Sequence, residues 1–278
     1  EILAATKALT THRDLAIGIA EAIKNVFLPE ALFGNDRRHC VDPGAVGLVG
    51  LSTTLATNAI VEGQGSSACL ILIGYDAELI RTHQFSEELV THDVVFVHGG
   101  HTIDGDERMP LDEKEVREAV LARRGIAGHD GVAAYAVSGY FGVRNPAHEL
   151  RVKALIEELT ASSTGMPAPV TCGHELTTKL NAIRRATTVA LNATLIPMLR
   201  DLILTVRARL DEIGVRAPLM VVKGDGSLVR AEWAVRRPIE TILSGPAASV
   251  VGASYVAGRE DVWVVDMGGT TTDIATLR

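Results

Sequence analysis

The chain has 278 residues, enough for one large domain or two smaller ones, and 47% hydrophobic with 22% charged residues excludes an intrinsically disordered chain. A formal net charge of −7 removes the electrostatic case for nucleic acid or an anionic membrane surface as partner. No apolar run approaches the roughly 20 residues a bilayer span needs, so no membrane partner is expected either.

The spacing of Leu15, Ile19, Ile23 and Val26 predicts a helix over 15–27, capped by Asp14. A strand over 45–49 follows, then Ser52 as N-cap of a helix through 61. Residues 68–73 are continuously apolar and read as a buried strand. A strand over 94–98 leads into Gly99-Gly100, and 103–108 reads as a hairpin turn. Asp112 with Glu115 is a capping-box pattern for a helix reaching Arg124, ended by Gly125. Residues 132–137 form a strand, and Pro146 opens a helix to about Thr160. Residues 162–167 read as a connecting loop. The longest helical pattern runs over 178–213 with Pro197 inside it, predicting a kink or a break near Ile196. A strand over 219–222, a turn at Gly224-Asp225-Gly226, a helix from Gly245-Pro246 to about Val256 and a strand over 262–266 complete the order. Such alternation indicates an α/β fold with a mostly parallel or mixed sheet.

Three widely separated cysteines, Cys40, Cys69 and Cys172, with no C-x-x-C pair, suit a reducing, cytoplasmic setting in which each thiol is a small apolar residue. A nucleophilic pairing of Cys172 with His174 has no other support in the sequence. His98-Gly99-Gly100-His101 reads as a flexible turn with partly exposed imidazoles rather than a metal centre, because His-x-x-His leaving a strand does not enforce convergence. His148-Glu149 reads as a polar pair in a first helical turn.

Three segments carry ligand chemistry. Thr53, Thr54, Thr57 and Asn58 stand at a helix start where free N–H groups favour anions, although simple capping by Ser52 explains the segment equally well. Ser244-Gly245-Pro246 combines an N-cap, a glycine able to approach a ligand and a first-turn proline. The chain closes on Asp266-Met267-Gly268-Gly269-Thr270-Thr271-Thr272-Asp273, which reads as strand, tight turn, strand. Glycine backbone and threonine hydroxyls there can hold phosphate oxygens, and Asp266 and Asp273 can hold a hydrated divalent cation or orient a water. The motif resembles the phosphate loop of the superfamily that includes actin, the sugar and acetate kinases and the chaperone ATPases.

Taken together, Thr53 to Ala59, Pro110 to Glu113, Asn145 to Glu149, Arg185 to Ala193, Ser244 to Ala247 with Val251-Gly252-Ala253, and Asp266 to Asp273 resemble the hydantoinase A/5-oxoprolinase family, which also includes acetone carboxylase subunits. The sequence departs from that pattern at Leu51-Ser52, Lys223 to Gly226 and Ala248-Ser249. The resemblance implies an actin-like ATPase (ribonuclease H-like) lobe with mixed sheet and flanking helices, ATP with Mg²⁺, and cleavage of a cyclic amide such as a hydantoin or 5-oxoproline. It implies Asp266 and Asp273 as catalytic carboxylates, Asp266 holding the metal or orienting a water and Asp273 bracing the loop or holding a metal-bound water, and Gly268, Gly269, Thr270, Thr271, Thr272 and Gly245 as nucleotide contacts. Thr53, Thr54, Thr57 and Asn58 would then line the substrate. It further implies an oligomer and a partner subunit of the hydantoinase B type. A carboxylase subunit of the acetone carboxylase type and a non-catalytic nucleotide-binding module are the alternatives. The absent initiator Met and the ending just after the motif suggest a segment truncated at both ends: residues 1–260 as a first lobe with a substrate-side insertion, and 261–278 as the start of a second. Such a segment alone is expected to be inactive.

Overall fold

The computed structural model describes residues 3–9, 15–27, 42–76, 78, 80, 90–124, 131–161, 166–258, 261–267 and 272–277. In chain order the helices are α1 (Leu15–Phe27), α2 (Leu55–Glu62), α3 (Glu113–Arg123), α4 (Ala147–Thr160), α5 (Gly173–Leu176), α6 (Ala182–Glu212), α7 (Ala231–Arg236) and α8 (Ser244–Ala257). The strands are β1 (Val49–Leu51), β2 (Ala68–Ile73), β3 (Val94–Val97), β4 (Ala134–Gly139), β5 (Val170–Cys172), β6 (Leu219–Val222), β7 (Leu228–Arg230), β8 (Val262–Met267) and β9 (Thr272–Leu277). They form two compact units, one of residues 1–54, 199–235 and 240–278, the other of 55–198 and 236–239.

The second unit is built on a four-stranded parallel sheet in the order β3-β2-β4-β5. All six residues of β2 and of β4 are buried, as their unbroken apolar or small character demands of strands covered on both faces. Alternation then divides the side chains. Leu70, Leu72 and Ala136 pack on Ala186, Val189, Ala190 and Ala193 of α6. Cys69, Ile71, Tyr135 and Val137 pack on Val116 and Val120 of α3 and on Val152, Leu155 and Ile156 of α4. Burying each large aliphatic is worth about 1.5–3 kcal/mol, so this double-sided core holds the sheet. Ile73 pairs with both Val97 and Gly139, and Val137 with Cys172, so the segments after all four strands leave from one edge.

In the first unit β1, β6 and β7 form a mixed sheet, β1 parallel and β7 antiparallel to β6. β8 and β9 form an antiparallel hairpin on which α8 packs.

Several sequence expectations shift. The strand placed at 45–49 lies at Val49–Leu51, because Asp42 caps a 3-10 turn over Pro43–Ala45 by accepting from Gly44 N at 2.9 Å. α2 starts at Leu55, three residues after Ser52. Asp112 caps α3 by accepting from Lys114 and Glu115 N–H groups, but the Glu115 carboxylate turns to His98, accepting from its N–H at 2.8 Å, so the reciprocal half of the box is not made. Pro197 neither ends nor interrupts α6, which is helical throughout. That helix is also long and apolar enough to cross a bilayer, contrary to the sequence reading, yet 67% of its most apolar window is buried as in a core helix. β5, α5, β7 and α7 have no counterpart among the sequence expectations. Asp14, Cys40, Gly125 and 162–165 lie outside the described residues.

Burial of Cys69 in β2 pushes its thiol up to about 12, and burial pushes Cys172 up as well. Both thiols are therefore protonated near neutral pH, and the thiolate is the reactive form. With Cys40 replaced by serine, a disulfide reagent at pH 8 should modify neither thiol until the protein is unfolded. Rapid labelling of the native protein would contradict this assignment.

Candidate functional site

In the first unit the closing motif is the β8–β9 hairpin. Its register sets Asp266 directly opposite Asp273, and Met267 opposite Thr272. Period-two alternation sends Val262, Val264, Asp266, Asp273 and Ala275 to the half-buried face, while Trp263, Val265 and Met267 are exposed. The two carboxylates thus share one face, and Ser249 of α8 donates from Oγ to Asp266 Oδ2 at 2.5 Å. Thr272 is exposed on β9. Gly268, Gly269, Thr270 and Thr271 lie outside the described residues.

At the start of α8, Ser244 does not cap the helix as its sequence suggests. Leu243 holds the cap position in a left-handed conformation (φ 61°), without a side-chain hydrogen bond. Leucine adopts this conformation at a cost of about 1–2 kcal/mol. Ser244 instead donates from Oγ to Thr53 O at 2.8 Å. A Cβ at Gly245 would lie 3.2 Å from Thr54 Cγ2, so glycine here permits close approach to the threonine pair. Thr53 and Thr54 end the first segment of this unit, whereas Thr57 and Asn58 lie on α2 of the other.

The Lys223–Ser227 turn satisfies itself. Asp225 accepts from Ser227 N at 2.9 Å and Oγ at 2.6 Å, which pulls its carboxyl down to about 2. Lys223 Nζ pairs with Asp225 at 3.2 Å and Glu240 at 3.5 Å. This lysine is held by carboxylates, and the turn reads as punctuation of the β6–β7 hairpin.

In the second unit, the carboxyl edge of the parallel sheet, where α/β proteins place their ligands, carries a dense polar cluster. Glu149 is fully buried and its carboxylate accepts from Gly139 N at 2.7 Å, His174 N at 3.0 Å and His174 Nδ1 at 2.5 Å. Arg185, 1% exposed, donates to Gly139 O at 2.9 Å and Lys179 O at 3.0 Å. Its Nε has no partner among the described residues. Tyr75 donates to Ala182 O at 2.9 Å and meets Ser138 Oγ at 2.7 Å, and burial raises its hydroxyl to about 12. Tyr140 and Phe141, with Leu180, Asn181, Ala182 and Ile183, line a cavity of about 210 Å³. Its walls are mostly apolar.

This edge corrects two sequence readings. His101 is buried rather than partly exposed, stacks on His148 at 4.3 Å, and is held below its ordinary pKa by burial and by that neighbour. His148 and Glu149 are not a superficial pair. His148 accepts from Gly100 N at 3.0 Å through Nδ1, so its Nε2–H donates to Glu107 at 2.9 Å. Arg185 is a core residue. The signal was its spacing, four residues before Val189 on the stripe of Ala186, Ala190 and Ala193, just as Glu149 lies three before Val152.

Residues 1–160 match the hydantoinase/oxoprolinase N-terminal region, and residues 185–278 match hydantoinase/oxoprolinase. Caprolactamase subunit alpha of Pseudomonas jessenii is 31% identical over 80% of this chain and 33% of its own length. The acetophenone carboxylase gamma subunit of Aromatoleum aromaticum is 26% identical over 98% of this chain and 39% of its own. The crystal structure of ATP-dependent caprolactamase from Pseudomonas jessenii superposes with a TM-score of 0.76 at 25% identity, over 97% of this chain and 40% of that one. The chain therefore spans 33–40% of the length of these relatives. The architecture is α/β of the actin-like ATPase type. With two matching stretches in consecutive order, the first alone covering more than half of the residues, the chain belongs to the hydantoinase/oxoprolinase family.

Proposed function

We propose that this chain contributes to an enzyme that hydrolyses a cyclic amide of the hydantoin or 5-oxoproline type, driven by ATP. The observation that carries the reading is the Asp266–Asp273 pair, set directly opposite across the hairpin with Ser249 fixing one carboxylate. Like charges so placed repel, and a divalent cation such as Mg²⁺ would offset that repulsion, so the donor set fits a hydrated metal ion held by Asp266 and Asp273. When bound, the cation neutralises charge on the transferring phosphoryl group. Asp266 would hold the metal or orient its water, and Asp273 would brace the hairpin. The 268–272 segment, with Gly245, would supply donors to the nucleotide, a role assigned from residue type. Thr53 and Thr54 beside Gly245, and Thr57 and Asn58 on α2, are proposed for the substrate side. Relatives named as alpha and gamma subunits support a partner subunit for the complete protein.

Phosphate release by the full-length protein should be stimulated by hydantoin or 5-oxoproline, and Asp266→Asn should lower that turnover by on the order of 100-fold or more. Undiminished turnover in the variant would remove Asp266 from the mechanism. Stimulation by a ketone with bicarbonate instead would favour a carboxylase subunit, the second reading, which the likeness to the acetophenone carboxylase subunit supports. Stimulation by none of these would favour a nucleotide-binding module without chemistry.

A further inference from the structure

Three side chains of the second unit, from three successive elements, converge at the carboxyl edge of its parallel sheet. Glu149 comes from the first turn of α4, Cys172 from the last position of β5 and His174 from α5. A carboxylate oxygen, the thiol sulfur and an imidazole nitrogen lie within 4.8 Å of one another, a grouping found nowhere else among the described residues. Glu149 and Cys172 are fully buried, and the His174 side chain is 21% accessible. Cys172 is a free thiol whose hydrogen bond is a long one, from Sγ to Glu149 O at 3.6 Å. Glycines keep room around the carboxylate: a Cβ at Gly142 would fall 2.8 Å from Glu149 Cδ, and one at Gly173 would fall 3.1 Å from its Oε1. The neighbouring cations are committed elsewhere. Arg185 donates to the carbonyls of Gly139 and Lys179, and Lys153 Nζ meets Glu175 at 2.7 Å.

We propose that Glu149, Cys172 and His174 hold a zinc ion, with water as the fourth ligand on the side where His174 is accessible. The site lies within one unit and does not depend on the reaction proposed above. A thiol and an imidazole beside a single carboxylate select zinc, whereas magnesium and calcium take oxygen ligands. As the ion enters, the thiol proton leaves to solvent and the sulfur coordinates as thiolate. The imidazole stays neutral, with Nδ1 on the ion and its proton on Nε2. Ligand atoms around a tetrahedral zinc stand about 3.2–3.8 Å apart. The 2.5 Å contact between His174 and Glu149 therefore opens, and the sulfur closes in, by side-chain movements of about 1 Å. Two backbone N–H groups already fix the carboxylate from outside, Gly139 N at 2.7 Å on Oε1 and His174 N at 3.0 Å on Oε2. Such outer hydrogen bonds orient a metal ligand. A dication with one thiolate and one carboxylate makes a neutral set, so the charges buried here compensate one another.

The test uses the full-length protein, purified without chelators from cells supplied with zinc and dialysed against excess magnesium. Elemental analysis should find one more zinc per chain in the wild type than in Cys172→Ser, and His174→Ala should lose the same equivalent. Cobalt(II) added to the zinc-depleted wild type should give a sulfur-to-cobalt charge-transfer band in the near ultraviolet that Cys172→Ser lacks. Serine keeps the shape of cysteine, so Cys172→Ser decides the matter even where His174→Ala fails to fold, and the cobalt band is read on the unaltered chain. Equal zinc in the wild type and Cys172→Ser would overturn the proposal, because any zinc that this variant retains is held by other residues. So would a cobalt spectrum that is the same in both.

Discussion

Replacing Arg185 by methionine should destabilise the protein by roughly 3–5 kcal/mol, because two hydrogen bonds from a charged donor to backbone carbonyls are lost, each worth about 1.5–3 kcal/mol. Methionine fills most of the volume, so the loss measures the guanidinium rather than a cavity. Two carbonyls, of Gly139 and Lys179, lose their donor, and Glu149 keeps its three hydrogen bonds but loses the nearby cation. Urea unfolding followed by circular dichroism would give the difference. The double variant with Glu149→Gln should recover part of the loss, because removing both charges together leaves neither uncompensated. A single-variant loss under about 1 kcal/mol would mean that water or a group outside the described residues carries the charge.

What was legible in the sequence is what depends on local pattern. The continuous apolar run of β2 and the two strands that flank the Gly268-Gly269 segment carry their own period, so both stand where the residues put them. β5 was missed because three residues between Pro169 and Gly173 show no period, and its place is set by pairing with β4. Leu243 was invisible because nothing local asks leucine for a left-handed conformation; the strain is imposed by the packing that seats Ser244 on Thr53. Glu149, His174 and Arg185 are distant in sequence and meet only through the register that brings β4 and β5 to one edge. Each looked ordinary alone, and their chemistry exists only as a set.

Two glycines with nearly the same backbone angle should respond very differently to alanine. Gly63 has φ +65° and no atom within 4 Å of an added Cβ, so Gly63→Ala should cost only the left-handed strain, about 1 kcal/mol. Gly74 has φ +70°, but a Cβ there would lie 2.6 Å from Gly99 O and 2.9 Å from Gly100 Cα. Those neighbours are backbone and cannot rotate away. Gly99 is itself pressed on Ile73, and Gly100 N is committed to His148 Nδ1 at 3.0 Å. Room for alanine must therefore come from parting the segments after β2 and β3, at the edge where His101 and His148 stack. Gly74→Ala should cost about 1–3 kcal/mol more than Gly63→Ala, since overpacking adds that much to the shared strain. Chemical denaturation of the two variants side by side checks this, because the conformational penalty cancels in the difference. Equal losses would mean that the edge yields easily, and that the three-glycine contact does not set the spacing of the strands around the polar cluster.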